Sequence, residues 1–139
     1  MRRAMIILAT IVIAGAALAG YSPDERGVRD AVELYFKGHA TGDGAYFRQA
    51  FSPDAKLFWV KDGKLASRTS AEFAAGAPGK PADDEARRHR RILTVDITND
   101  MAVVKVDLDY PGRHLVDYLC LLRIDGRWQI VNKVFTALP

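Results

Sequence analysis

Half-cystine pairing has no place in this chain, because Cys120 is its one cysteine among 139 residues. A single thiol cannot close an internal disulfide, so stability has to come from a packed core. Cys120 lies mid-strand between Leu119 and Leu121, where a small buried hydrophobe is the expected role. Histidine is also scarce, at 3 residues, and none has acidic or thiol neighbours at ligand spacing; no metal site is expected. There is no glycine-rich phosphate loop and no serine elbow, so no cofactor is expected either. Charge of one sign is missing as well. The formal charge of +3 includes Arg2 and Arg3, and without them 18 basic side chains face 17 acidic ones. That balance gives no reason to expect nucleic acid or an anionic surface as a partner.

Long apolar runs are absent after the N-terminus. Met1-Arg2-Arg3 precedes an apolar run from Ala4 to Leu18 that closes on Ala17-Leu18-Ala19, a small-x-small cleavage pattern. This reads as a Sec-type secretory signal over residues 1–20. The run is about 15 residues, against the roughly 20 needed to cross a bilayer. Tyr21 stands where a lipoprotein would need cysteine, so no lipid anchor is expected. The expectation is a periplasmic or secreted protein, free of the membrane after cleavage. Residues 21–139 are enough for one domain and one core.

What is present is β pattern, concentrated in the last third. LVDYLCLLRI and RWQIVNKV flank Asp125-Gly126, the favoured pair for a type I′ hairpin turn. Counting back from that turn on strict alternation places Leu121 opposite Ile130, Leu119 opposite Asn132 and Asp117 opposite Val134. Tyr110-Pro111-Gly112-Arg113 pairs Asp109 with His114 and Val106 with Asp117, and Thr98 to Met101 closes a third turn. Earlier in the chain, Ser22-Pro23-Asp24-Glu25 reads as a capped helix start with a capping box, and an apolar stripe from Val28 to His39 carries the helix to about Ala40. Asp43 caps a short second helix. Lys61-Asp62-Gly63 marks a small hairpin, and Thr69-Ser70-Ala71-Glu72 opens a short third helix that stops near Gly76. Ala77 to Glu85 is a long loop, expected to be mobile. Helices gathered against an antiparallel sheet give an α+β domain.

Side chains alternate between strand faces, so the register sorts them. One face collects Leu93, Val95, Ile97, Val104, Val106, Leu108, Leu119, Leu121, Trp128, Ile130 and Val134, and is the expected interior. Its polar members are His89, Arg91, Tyr110, Arg113, Asp117, Arg123 and Asn132. The opposite face, half apolar, has the character of a dimer surface. Asp117 is the sharpest candidate: flanked by valines, its carboxylate needs a partner or a raised pKa, and could serve as general acid or base. The plainer role, fixing the packing through bonds to Asn132, Arg91 or a helix end, carries more weight. His89, Arg91 and Asn132 are candidates to orient a ligand, although the run Arg87-Arg88-His89-Arg90-Arg91 also suits a solvated strand. Tyr35 and His39 lie on the inward stripe of the first helix, where either could bond a ligand or complete the core. Trp59 and Trp128 are expected in the core.

Taken together, Tyr35-Phe36-Lys37-Gly38-His39, Phe51-Ser52-Pro53-Asp54-Ala55, Asp62-Gly63, Asp117-Tyr118-Leu119 and the closing run Leu122 to Phe135 resemble the putative lumazine-binding family of the nuclear transport factor 2-like superfamily, with SnoaL-like relatives. The resemblance spans nearly all of residues 21–139. It implies a cone: a curved antiparallel sheet wrapped around the N-terminal helices, with a pocket inside and homodimers common. Where that family commonly has histidine, this chain has Ser52, which removes one titratable pocket group. The resemblance implies a protein that binds a small apolar or aromatic ligand, with no reaction established for the class. Two alternatives stay open. One is an isomerase or dehydratase with Asp117 as acid or base, assisted by His89, Arg91 or Asn132. The other is a dimeric interaction module whose interior is filled by its own side chains.

Overall fold

Ser22 starts the first helix by accepting a hydrogen bond from the Glu25 amide at 3.1 Å, with Pro23 in the first turn. Helix α1 runs Pro23–Thr41 and stops at Gly42, whose φ of 69° is the left-handed conformation that glycine adopts without strain. The capping box expected here is half formed. The Glu25 carboxylate turns outward to Arg29 at 2.8 Å rather than back to the cap. The structure, a computed structural model, describes residues 20–139. The signal expected over residues 1–20 lies, except for Gly20, outside the described residues.

Helix α2 (Gly44–Ala50) is capped by Asp43 and packs its Phe47 against α1 at Gly38, where a Cβ would come within 2.4 Å of the ring. Strands β1 (Phe51–Lys61) and β2 (Lys64–Thr69) form the expected hairpin about Asp62-Gly63, with φ of 51° and 73°. Helix α3 (Ser70–Ala75) has the full capping box between Thr69 and Glu72. After the loop, with one 3-10 turn at Glu85–Arg87, come β3 (His89–Thr98), β4 (Met101–Tyr110), β5 (Arg113–Ile124) and β6 (Arg127–Ala137). The loop backbone is tied to the end of α1 by a bond from Gly79 N–H to the Gly42 carbonyl at 2.7 Å.

The six strands form one sheet in the order β2-β1-β6-β5-β4-β3. Four of the five strand pairings are antiparallel, but β1 joins β6 in parallel, with Leu57 beside Lys133. That junction continues the meander into the early hairpin and lets one curved sheet enclose the helices. Val28, Val32, Tyr35 and Phe36 of α1 are buried against Val104, Val106, Leu108, Leu119, Leu121 and Ile130 of the sheet. This is an α+β cone.

Two bulges change the facing expected from strict alternation. The β5–β6 pairing follows the turn as far as Leu121 opposite Ile130, then slips so that Cys120 meets Asn132, Leu119 meets Lys133 and Asp117 meets Phe135. Val131 is the extra residue. The β3–β4 pairing slips between Ile92 and Thr94, which leaves Leu93 unpaired and 46% exposed. A bulge inserts one residue and reverses which face every residue beyond it occupies. Lys133 and Phe135 therefore turn inward, and Asn132 and Val134 outward. On β3 the inward residues are Arg90 and Ile92, while His89 and Arg91 turn away from the interior.

Candidate functional site

The sheet's inner face carries two buried ionisable residues at its centre, brought together by the β6 bulge. Asp117, on β5, is fully buried, and Lys133, on β6, is 4% exposed. Lys133 Nζ lies 3.0 Å from Asp117 Oδ2. Tyr35 reaches them from α1: its hydroxyl donates to Asp117 Oδ2 at 2.5 Å and accepts from Lys133 Nζ at 2.6 Å. An ammonium, a phenol and a carboxylate thus share one closed set of charge-assisted hydrogen bonds. The Lys133 ammonium is also ringed by aromatic faces, 4.9 Å from the centre of Tyr35, 5.3 Å from Phe73 and 4.6 Å from Phe135.

Burial governs the proton affinities here. It holds the Tyr35 phenol well above its ordinary range, and the Asp117 carboxylate pushes in the same direction. It draws the Lys133 amine below its ordinary range, against the opposing pull of Asp117. His39, one turn after Tyr35, packs edge-on to it at 4.7 Å and to Phe47 at 5.1 Å. Burial and the nearby Lys133 charge hold that imidazole well below its ordinary range, so it is neutral at pH 7. Among the described residues, two buried side-chain atoms lack a protein partner: His39 Nε2 and Asp117 Oδ1.

A cavity of about 660 Å³ opens onto this cluster, a size that suits a small organic ligand. Lys133 and His39 line it; Asp117 and Tyr35 stand behind and do not. Its walls are about half apolar, from Leu57, Trp59, Phe73, Tyr110, Leu115 and Phe135, and half polar, with Arg68, Arg88 and Arg113 beside Lys133 and His39. An interior filled by its own side chains is therefore not what the fold contains. Trp128 is in the core at 6% exposure, whereas Trp59 is half-buried and faces the cavity.

Of the residues singled out from sequence, the structure brings together Tyr35, His39 and Asp117. It sends the other three elsewhere. Asn132 faces outward past the β6 bulge. Arg91 and His114 bond the Asp107 carboxylate on the outer face, Arg91 Nη2 at 2.5 Å, and His89 joins Arg91 in a separate open groove between α1 and β3. Arg90 takes the inward place instead and pairs with Glu85 at 2.6 Å and with the Tyr110 hydroxyl at 2.9 Å. Ser52 is buried beside α3, its carbonyl accepting from Ser70 at 3.0 Å, away from the cavity. Among the described residues no cluster of three His, Cys, Asp or Glu side chains is placed to hold a metal. Lys133 is the site residue missed from sequence. The signal for it is parity: the large apolar residues of β6 fall on even numbers at Trp128 and Ile130 and on an odd one at Phe135, as a bulge between them requires.

Comparison with known proteins agrees with this architecture. A crystal structure of an NTF2-like protein of unknown function from Shewanella baltica superposes with a TM-score of 0.76 at 23% identity, covering 87% of this chain and 98% of that one. Another, from Methylobacillus flagellatus, gives a TM-score of 0.73 at 26% identity, covering 87% and 97%. A protein named Aldolase FrzH from Cladobotryum is 23% identical over 105 residues, 76% of this chain and 84% of that protein. The family model described as Putative lumazine-binding matches residues 23–136, and on that match the chain belongs to this family of the NTF2-like superfamily.

Proposed function

We propose that this domain binds a small organic molecule inside its cone and holds an oxygen function of that molecule at the Lys133 ammonium. The observation that carries this reading is the placement of Lys133: a buried cation that lines a cavity of about 660 Å³ and is held from behind by Asp117 and Tyr35. A buried ammonium is costly unless its hydrogen bonds are satisfied. Two of its three N–H directions are taken by Asp117 and Tyr35, and a carbonyl or carboxylate oxygen in the cavity would take the third. His39 Nε2, buried, unpartnered and on the same cavity, is a second point of polar contact.

A catalytic version of the same reading is favoured by the shared hydrogen bonds. An ammonium that donates to a carbonyl oxygen stabilises negative charge developing on that oxygen during a reaction at the carbonyl. Asp117 would then act as a positioning residue that keeps Lys133 in place, while Lys133 meets the substrate. One relative is named Aldolase FrzH, and this cluster suits chemistry at a carbonyl group. We further propose export to the periplasm or beyond the cell, from the N-terminal signal, and a homodimer through the outer sheet face, where Met101, Val103, Tyr118, Leu122 and Val134 are exposed. Light scattering that finds a monomer at tens of micromolar removes the dimer.

The test is native mass spectrometry of the protein purified from its own periplasm, wild type beside Lys133→Met. The expected result is a small-molecule adduct on the wild type that is lost in the variant. An adduct retained by Lys133→Met removes Lys133 as the holding group. Turnover of the extracted compound by the wild type, lost in the variant, selects the catalytic version.

A further inference from the structure

The cavity's charge is one-sided in a way that narrows the ligand. Four cationic side chains line it, Lys133, Arg68, Arg88 and Arg113, and no carboxylate does. Two of the four are compensated from behind: Lys133 by Asp117, and Arg88 by Asp84 at 2.7 Å. Arg68 and Arg113 are exposed, and among the described residues neither pairs with a carboxylate. Both charges are felt inside, since each disfavours the protonated form of Lys133. Arg68 also lies 5.7 Å over the ring of Trp59, which ties one guanidinium to an aromatic wall of the cavity. Two arginines without an ion-pair partner thus face the same opening.

Resting on the reading that this cavity is the binding site, we propose that its ligand is a flat, apolar organic carboxylate, with the ring laid against the wall that Trp59 and Phe135 form and the carboxylate toward Arg68 and Arg113. The chemistry follows from the parts. Trp59 and Phe135 stand 5.4 Å apart between ring centres on one wall and offer flat apolar surface. Guanidinium groups match a carboxylate in shape as well as charge, through paired N–H donors. A carboxylate brings one negative charge to two arginines that have no ion-pair partner and relieves their repulsion with Lys133. A neutral carbonyl compound of the same size would leave that repulsion in place. The apolar half of the wall argues against a free phosphate or a sugar phosphate, whose polar surface would go unpaired on Leu57, Leu115 and Phe73.

The experiment is calorimetric titration of the full mature protein with 2-naphthoate and with 2-naphthylmethanol, which share a ring system and differ in charge. The expected result is naphthoate binding about tenfold more tightly than the alcohol at low salt, the ratio shrinking as ionic strength rises. In the double variant Arg68→Gln/Arg113→Gln the ratio is expected to fall to near one. Both arginines are exposed, so melting of the variant should stay near that of the wild type. Equal affinities for the two compounds in the wild type overturn the carboxylate proposal and leave the cavity as a binding site. So does a naphthoate preference that survives the double substitution. Failure of both compounds to bind up to millimolar concentration overturns the binding-site reading along with it.

Discussion

Two aspartates on neighbouring rungs of one ladder meet opposite fates. Asp107 stands across from Val116 and Asp117 across from Val106, one step along the same β4–β5 pair, and alternation sends them to opposite faces. Both are nearly inaccessible, at 4% and 0% exposure. Asp107 is covered by its partners, Arg91 and His114, whose own side chains are 65% and 42% exposed. Its ion pairs dissolve into water at their outer ends. Asp117 is covered by protein, and its cation, Lys133, is 5% exposed. Equal burial of a carboxylate therefore says little until the exposure of its partner is known. The outer set is a surface network beneath a thin cover, and the inner one is an internal ion pair that the rest of the fold has to sustain.

The largest effects should come from breaking the inner pair one member at a time. Asp117→Ala or Lys133→Ala leaves a buried charge without its counterpart, which costs roughly 3–5 kcal/mol. For a domain of this size the expected fall in melting temperature is on the order of 10 °C or more. The double substitution Asp117→Leu/Lys133→Met removes both charges and should be less destabilising than either single change, as replacement of buried pairs by apolar residues often is. Thermal melting of the four proteins decides it. Additive losses would mean that the two residues do not act as a pair.

Tyr35→Phe sharpens the comparison at the next scale. It keeps the ring that packs against Phe36, Phe47 and Phe51 and removes the hydroxyl shared by Asp117 and Lys133. The expected cost is about 1–3 kcal/mol, the desolvation left on the two charged groups. Denaturant titration that finds no change would show that water fills the gap without loss.

Much of this architecture was legible in the sequence, and the boundary between what was and was not is physical. Turn chemistry is local: Asp62-Gly63 and Asp125-Gly126 need positive φ, and the residues chosen for that announce themselves. Caps at Ser22, Asp43 and Thr69 are similarly local. Close to each turn the register follows, so Val106 opposite Asp117 and Leu121 opposite Ile130 were readable. A bulge is different, because its stability comes from curvature of a sheet around a helix that the strand itself does not contain. Strict alternation carried through Leu93 and Val131 put His89, Arg91 and Asn132 on the wrong face and kept Lys133 off the right one. Asp117 was found because it lies on β5 between two well-marked turns; its partner lay beyond the bulge.

His39 gives the third comparison, between a titratable group on the inner face and the carboxylate on the outer one. With its protonation held well below the ordinary range by burial and by Lys133, the unfolded chain binds a proton that the folded protein refuses. Stability should therefore be complete above the unfolded value of about 6.5 and fall as pH drops below it. Charges facing the ring come from Lys133 on β6, Arg88 and Arg90 near β3, and Arg113 on β5, all of the same sign. His39→Leu should flatten the slope of melting temperature between about pH 6.5 and 5; an unchanged slope would place that titration elsewhere.

The smallest effect belongs to the outer network. Arg91 holds the Asp107 carboxyl below its ordinary range, with His114 adding to the pull. A carboxylate whose folded pKa is depressed stabilises the fold above its unfolded value, about 3.9, and that contribution disappears as pH falls through the folded value. Asp107→Asn should cost about 1 kcal/mol at pH 7, since the partners stay solvated and can turn to water. Below about pH 4 the wild type should converge on the variant. Melting curves that keep a constant gap down to pH 2 would assign the cost to packing, and a loss at pH 7 as large as that of Asp117→Ala would erase the distinction between a carboxylate covered by its own solvated partners and one enclosed by the core.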